Sequence, residues 1–263
     1  MKKKIFPFYH YLLYRLRAKT THGTHSPFVF DLLNKVVYNP HSFYVYKEIE
    51  EVRKEMLSSD LQIQFTDLGA GADSSGDHRV RTLKEITSSA VKPAKYGQLL
   101  FRLINYFQPK NALELGTSLG ITTAYLSKAN GSTEVITIEG CPETATIAQQ
   151  NWERLGCKNI TLRMGNFDEV LPEVLNHIPA LDFVFIDGNH RKEMTLDYFN
   201  KCLQKAHEKS VFVLDDIYWS EEMKEAWEEI KADNRVSVTI DLFFMGLAFF
   251  RKGQVKQDFV IRY

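Results

Sequence analysis

The sequence has little cysteine, no long hydrophobic run and no excess of charge of either sign, and each shortage excludes something. Three cysteines occur in 263 residues, Cys141, Cys157 and Cys202, an odd number without metal-ligand spacing. That argues against a disulfide framework and for a reducing, cytoplasmic setting. No stretch approaches the roughly 20 apolar residues a membrane span requires. Lys plus Arg and Asp plus Glu both total 33, for a formal net charge of zero. A general nucleic-acid binder carries a basic excess, so nucleic acid is not expected as a partner. The opening "MKKKIFPFYHYLLYRLRAK" has the basic start and apolar middle of a signal peptide, but Pro7, His10 and Arg15 interrupt it and no small-residue cleavage site follows. An amphipathic helix packed on the body, or on a second subunit of a homo-oligomer, is expected there; attachment to a membrane surface is the other option.

What is present is enough for one substantial core: 44% of the residues are hydrophobic and 25% charged. From Ala112 onward, short apolar runs alternate with longer amphipathic segments. "ALEL" (112–115), "EVITI" (134–138), "NITLRM" (159–164), "LDFVFID" (181–187) and "SVFVLDD" (210–216) have the branched residues of buried strands. Helical patterns at 121–129, 143–155, 192–206 and 221–231 separate them. Strand and helix in alternation imply parallel strands with right-handed crossovers, hence an α/β, Rossmann-like, doubly wound sheet, here of seven strands. The final "VSVTIDLFFMGLAFFRK" breaks the rhythm with two strand-like runs flanking Met245 and Gly246, so one late strand is expected to run antiparallel. Residues 1–90 are expected to form a mainly helical extension, with helices at 9–18 and 46–57 and a polar loop at 71–79, and residues 91–263 to form the main domain.

Two stretches have the glycines of a nucleotide-binding loop, "FTDLGAGADSSG" (65–76) and "ALELGTSLGITT" (112–123). Such a loop needs a buried strand before it, a helix after it and an acid ending the next strand. The first is followed by Asp73, Ser74, Ser75, Gly76 and Asp77, which bury no helix face, and is expected to be a polar loop or lid. The second meets all three conditions. Gly116 makes the turn, Gly120 allows close approach, and Glu139 ends the following strand 23 positions after Gly116, near the roughly 20-residue spacing of an acid that holds ribose hydroxyls. Its two oxygens can accept from the 2′ and 3′ hydroxyls together. Thr117 and Ser118 stand where a dinucleotide binder has its middle glycine, which favours an adenosine cofactor without phosphate. S-adenosylmethionine is the common one. A ligand-free strand-to-helix turn is the bland alternative.

Together "YGQLL" (96–100), "LELGTSLGITTA" (113–124), "IEGCPE" (138–143), "FIDGNH" (185–190) and "LDD" (214–216) resemble, as an ordered set, the class I S-adenosylmethionine-dependent methyltransferases, and within them the catechol-type O-methyltransferases. The resemblance spans roughly residues 95–252. It implies that Glu114 and Gly116, Thr117, Ser118 and Gly120 face the methionine moiety, that Glu139 and Gly140 lie at the ribose, that Gly165, Asn166 and Phe167 border the adenine, and that Asp187 lies near the reacting groups. The segment with "HGTHSPFVF" falls outside this core and resembles an extension of a bacterial branch.

Asp187, Asp215 and Asp216 end neighbouring strands, where ligands of an open α/β sheet collect. Converging carboxylates repel unless a cation or proton intervenes, and hard oxygen ligands suit Mg²⁺ or another divalent ion. The resemblance implies a metal that chelates a small-molecule acceptor. It departs from the family in having Asp216 where relatives have Asn, and His190, three residues after Asp187, where the family has a lysine base. An imidazole can take a proton from a hydroxyl. Helix capping by Asp215 and Asp216, an ordinary loop role for His190, structural roles for His22 and His25, and packing by Tyr218 and Trp219 are the alternatives. The function expected is O-methylation of a small hydroxylated acceptor. A metal-independent methyltransferase and a non-catalytic protein of the same fold are its rivals.

Overall fold

A computed structural model of the chain describes residues 2–67 and 77–263, without the side chains of residues 2–5, 22, 67, 77 and 78. The glycine-rich stretch at 68–76 and the His22 side chain therefore lie outside the described residues. The described chain divides into two compact units, Met1–Asn34 with Val174–Tyr263, and Lys35–Glu173.

The second unit begins with helix α3 (Tyr44–Leu57), an antiparallel hairpin of β1 (Gln62–Asp67) and β2 (Asp77–Thr82), and α4 (Leu83–Ala90). Residues 77–79, expected in a loop, thus belong to β2, where cross-strand pairing overrides their polar composition. A reciprocal cap starts α4: the Thr82 hydroxyl accepts from the Glu85 N–H and the Glu85 carboxylate from the Thr82 N–H. Then come α5 (Ala94–Phe107), β3 (Asn111–Leu115), α6 (Ile121–Ala129), β4 (Glu134–Glu139), α7 (Pro142–Leu155) and β5 (Ile160–Met164). In α5, Tyr96, Leu99, Leu100, Leu103 and Ile104 repeat at helical spacing and are all buried. Strands β3, β4 and β5 are parallel, in that order. Val45, Ile49 and Met56 of α3 share one core with Tyr125 of α6 and Trp152 of α7, so this part of the N-terminal region completes the unit's core.

The first unit holds α1 (Lys2–Arg17) and α2 (Pro27–Leu32), β6 (Leu181–Ile186), α9 (Lys192–Leu203), β7 (Ala206–Asp215), α10 (Glu221–Ala232), β8 (Val238–Asp241), β9 (Met245–Phe249) and β10 (Gln257–Val260); α8 (Phe167–His177) runs from one unit into the other. Its strands are ordered β10-β8-β9-β7-β6. Strand β9 is antiparallel to both β7 and β8, whereas β6 with β7 and β10 with β8 are parallel. These five strands and the three parallel strands of the other unit make eight besides the β1–β2 hairpin, rather than seven, with β9 alone antiparallel to its neighbours. The eighth, β10, is a short "QDFV" with no fully buried residue, so it carries no apolar run.

The late hairpin also turns elsewhere than expected. Met245 and Gly246 lie in β9, and the bend is Leu242 to Phe244, with Phe243 left-handed at φ 71°. Gly246 serves packing: a Cβ there would stand 2.7 Å from the Trp227 ring of α10. Helix α1 packs on this unit. Tyr11 and Tyr14 lie against Phe243, the Tyr14 hydroxyl donates to the Ile261 carbonyl at 2.6 Å, and Lys19 bridges to Ile261. No helix among the described residues is long and apolar enough to cross a membrane.

Candidate active site

In the second unit, β3 ends at Leu115 and the chain turns through Gly116, at φ 103°, into α6. The turn is closed by the Gly120 N–H on the Thr117 carbonyl, 2.9 Å. Gly120, at φ 75°, starts the helix in a left-handed conformation. Its missing side chain is filled by α7: a Cβ would lie 2.5 Å from Trp152 Nε1, and that indole N–H donates to the Gly120 carbonyl at 2.8 Å. The close approach expected of Gly120 is therefore made, at least in part, to Trp152.

Glu139, the last residue of β4, reaches across to this turn. One carboxylate oxygen accepts from the Ser118 N–H at 2.7 Å and the other from the Cys141 N–H at 2.8 Å. Burial pushes its pKa up, and hydrogen bonds from Cys141, Ser118, Thr144 and Gly140 pull the other way. Glu114, on β3, is fully buried; one of its oxygens accepts from Thr123 at 2.5 Å and from Thr137 at 2.7 Å. Thr117 turns inward and shares a 2.5 Å hydrogen bond with Thr137. Sequence reasoning missed Thr123 and Thr137, whose only signal is hydroxyls facing Glu114 from the next helix and strand. The hydroxyl of Ser118 differs: it is buried without a hydrogen-bond partner among the described residues, and Ser118 sits at φ 49°. An orphaned buried hydroxyl on a strained turn is a place where a ligand's polar group completes the set. Beyond β5, Gly165 donates to the Glu139 carbonyl at 2.9 Å, and exposed Asn166 caps α8, its side chain accepting from the Asp168 N–H at 3.1 Å. Phe167, half-buried, is the first residue of α8.

In the first unit, Asp187 follows β6 and Asp215 ends β7. Asp215 is 2% exposed, while Asp216 takes a left-handed conformation at φ 51° and donates its N–H to the Phe244 carbonyl at 2.7 Å. The structure brings together three of the predicted residues: His190 Nε2 lies 3.9 Å from an oxygen of Asp187 and 3.9 Å from an oxygen of Asp216. These distances are ion-pair contacts rather than hydrogen bonds. Asn189, left-handed at φ 63°, donates its amide to the Tyr198 hydroxyl at 3.1 Å and sets the bend that carries His190. Nothing in its spacing marks this role. Trp219 is exposed with its ring 6.2 Å from that of His190. Tyr218, expected either as an acceptor wall or as packing, stacks on Phe243 with centroids 5.0 Å apart and donates to Asp241 at 2.7 Å. No group of three His, Cys, Asp or Glu side chains among the described residues is arranged to hold a metal ion.

Residues 113–217 match the model of a methyltransferase domain. Over 126 residues the chain is 32% identical to a catechol O-methyltransferase of Niastella koreensis, covering 46% of this chain and 55% of that protein. Over 130 residues it is 29% identical to a catechol O-methyltransferase of Mycobacterium tuberculosis, covering 47% and 56%. The chain spans about half the length of the curated relatives it matches. The fold is also that of an O-methyltransferase from Bacillus cereus in complex with SAH, with a TM-score of 0.57, 19% identity, and coverage of 81% of this chain and 94% of that one. The stretch that matches the methyltransferase-domain model contains Glu114, the turn to Gly120, Glu139, Asp187, His190, Asp215 and Asp216.

Proposed function

We propose that the chain is an S-adenosylmethionine-dependent O-methyltransferase acting on a small hydroxylated molecule. The observation that carries this is Glu139. A carboxylate held at the end of β4 against the backbone of a glycine turn, beside the orphaned Ser118 hydroxyl, suits a ribose diol. Glu114, Gly116, Thr117, Ser118 and Gly120 shape the methionine side, Gly140 the ribose side, and Asn166 and Phe167 the adenine side. When bound, the cofactor supplies an electrophilic methyl group on a sulfonium.

The remaining work is to hold the acceptor and remove its proton. His190 takes that proton at Nε2, and Asp187 and Asp216, each 3.9 Å away, stabilise the imidazolium that results. Asn189 fixes the bend that aims the ring, and Trp219 offers an exposed flat face for a ring-bearing acceptor. The acceptor class follows the names of the curated relatives, both catechol O-methyltransferases. Assistance by Mg²⁺ on Asp187, Asp215 and Asp216 is the second reading, favoured by the way two of these acids bracket one point at His190.

The test is methyl transfer to a panel of catechols and simple phenols, with calorimetric binding of S-adenosylhomocysteine and NAD in parallel. His190→Ala is expected to lower turnover by about 10²–10⁴-fold with S-adenosylhomocysteine affinity unchanged. Activity that survives EDTA supports His190 as the sole agent; activity lost in EDTA and restored by Mg²⁺ supports the second reading. Binding of NAD without S-adenosylhomocysteine would overturn both.

A further inference from the structure

Helix α1 is apolar on the side facing away from its own unit. His10, Tyr11, Tyr14 and Ala18 lie on the packed side, against Tyr218, Phe243 and the C-terminal strand. Phe8, Leu12 and Leu16, at four-residue spacing, form a stripe on the other side and are 64%, 48% and 83% exposed, with Tyr9 beside them at 55%. An apolar stripe left exposed on a helix already packed along its other side normally marks an interaction surface.

Charge decides what that cover is. Residues 1–30 contain Lys2, Lys3, Lys4, Arg15, Arg17 and Lys19 and no acidic residue, although the whole chain nets zero. Two copies of so basic a segment repel when their stripes face each other. An anionic surface attracts it instead, and a straight stripe of three side chains over about 12 Å suits a flat one. Exposed Arg15 and Arg17 flank the stripe at the end of the helix, where long basic side chains reach headgroups while their stems stay apolar. The helix is also fixed in place: the Tyr14 hydroxyl donates to Ile261 and accepts from the Tyr263 N–H at 2.9 Å, and Lys19 exchanges backbone hydrogen bonds with Val260 and Arg262. Presenting the stripe therefore requires no ordering of a loose arm.

From these observations we infer that α1 is an interfacial helix that docks the protein on anionic lipid bilayers, with Phe8, Leu12 and Leu16 entering the headgroup boundary and the basic residues meeting lipid phosphates.

The experiment is flotation of the full-length protein with vesicles of phosphatidylcholine alone or mixed with phosphatidylglycerol, at low and high salt. Binding is expected only to the mixed vesicles and to weaken at high salt. Arg15→Gln with Arg17→Gln is expected to lower the partition coefficient by about 30-fold, at roughly fivefold per basic residue. Leu12→Gln with Leu16→Gln is expected to lower it by about tenfold or more. All four side chains are exposed, so both variants should unfold at the wild-type temperature, which separates lost docking from lost folding. The inference is overturned if the wild type does not float with the mixed vesicles, or if the leucine variant binds them as well as the wild type. Sedimentation equilibrium without lipid that shows a dimer which the leucine variant dissociates would also overturn it, because a second copy would then cover the stripe.

Discussion

Glu139 ties the glycine turn to the end of β4 and, as proposed, holds a ribose, and replacing it in two ways tells these roles apart. Its carboxylate ties the Ser118 N–H of the glycine turn to the Cys141 N–H after β4, at 2.7 and 2.8 Å. Glu139→Ala removes both acceptors. Glu139→Gln keeps one carbonyl oxygen in place and turns an amide nitrogen toward the other N–H. A hydrogen bond to a charged group contributes about 1.5–3 kcal/mol. The carboxylate is itself destabilised by burial, so removing its charge offsets part of that loss. The net expectation is about 1 kcal/mol for Gln and about 2–4 kcal/mol for Ala. With roughly 2–4 °C per kcal/mol for a domain of this size, scanning calorimetry should show a small drop for Gln and a two- to fourfold larger one for Ala. The second, proposed role is to accept from ribose hydroxyls of a bound cofactor. Losing charge-assisted acceptance from one hydroxyl should weaken S-adenosylhomocysteine binding by about 10–100-fold in the Gln variant. Titration calorimetry well above the raised Glu139 pKa reads this directly. If Glu139→Gln loses stability as expected but binds S-adenosylhomocysteine like the wild type, the residue is a structural tie alone and the cofactor assignment fails.

Gly120→Ala combines left-handed strain with a Cβ 2.5 Å from Trp152, whereas Gly156→Ala, at φ 67° with nothing within 4 Å, has the strain alone. Urea unfolding should show about 1 kcal/mol lost at position 156 and an additional 1–3 kcal/mol or so at 120; equal losses would mean that the indole moves freely. For Asp241, burial lifts the carboxyl above its ordinary 3.8, against hydrogen bonds from the Phe243 N–H and the Tyr218 hydroxyl. The native state therefore binds more protons than the unfolded chain between 3.8 and the raised value, so this group's contribution to stability is full below that window and is lost as pH rises through it. Asp241→Asn should remove this group's part of the pH dependence in unfolding curves taken from about pH 4 to 7, relative to the wild type; an unchanged pH dependence would refute the assignment.

The parts of the fold that could be seen in the sequence are those whose burial is two-sided. Strands β3, β6 and the second half of β7 are buried on both faces and are written as near-continuous apolar runs, "ALEL", "LDFVFI" and "SVFVLD". Strand β10 was hidden because it is half-exposed, and β2 because "DHRVRT" owes its strand state to pairing with β1. Gly246 misled because a glycine between two apolar runs has the pattern of a turn, while its actual constraint is the Trp227 ring, 19 residues earlier in the chain. At the candidate site, spacing singled out Glu139 and strand ends singled out Asp187 and Asp216, whereas His190 was singled out only through the family resemblance. The Glu114 network through Thr123 and Thr137 was not legible, since hydroxyls on a neighbouring helix and strand have no sequence period in common. Nor was Asn189, whose left-handed bend is set by contacts beyond its own segment.

Strain is what these places share. Of the five non-glycine residues with positive φ among the described residues, Ser118, Asn189 and Asp216 lie within three residues of the carboxyl ends of β3, β6 and β7. Each costs about 1–2 kcal/mol, and a glycine at any of them would relieve it. A serine, an asparagine and an aspartate stand there instead. Two have a demonstrable task for the side chain or its neighbour: Asn189 holds the bend before His190, and Asp216 brings its carboxylate to that imidazole. The third, Ser118, points a buried hydroxyl at no partner among the described residues. A chain that tolerates strain at these strand ends, each with a polar side chain rather than glycine, is holding polar atoms in fixed positions within each unit. Fixed polar atoms are worth that cost when a bound molecule meets them, and Ser118 is where the cost is least explained by the protein alone.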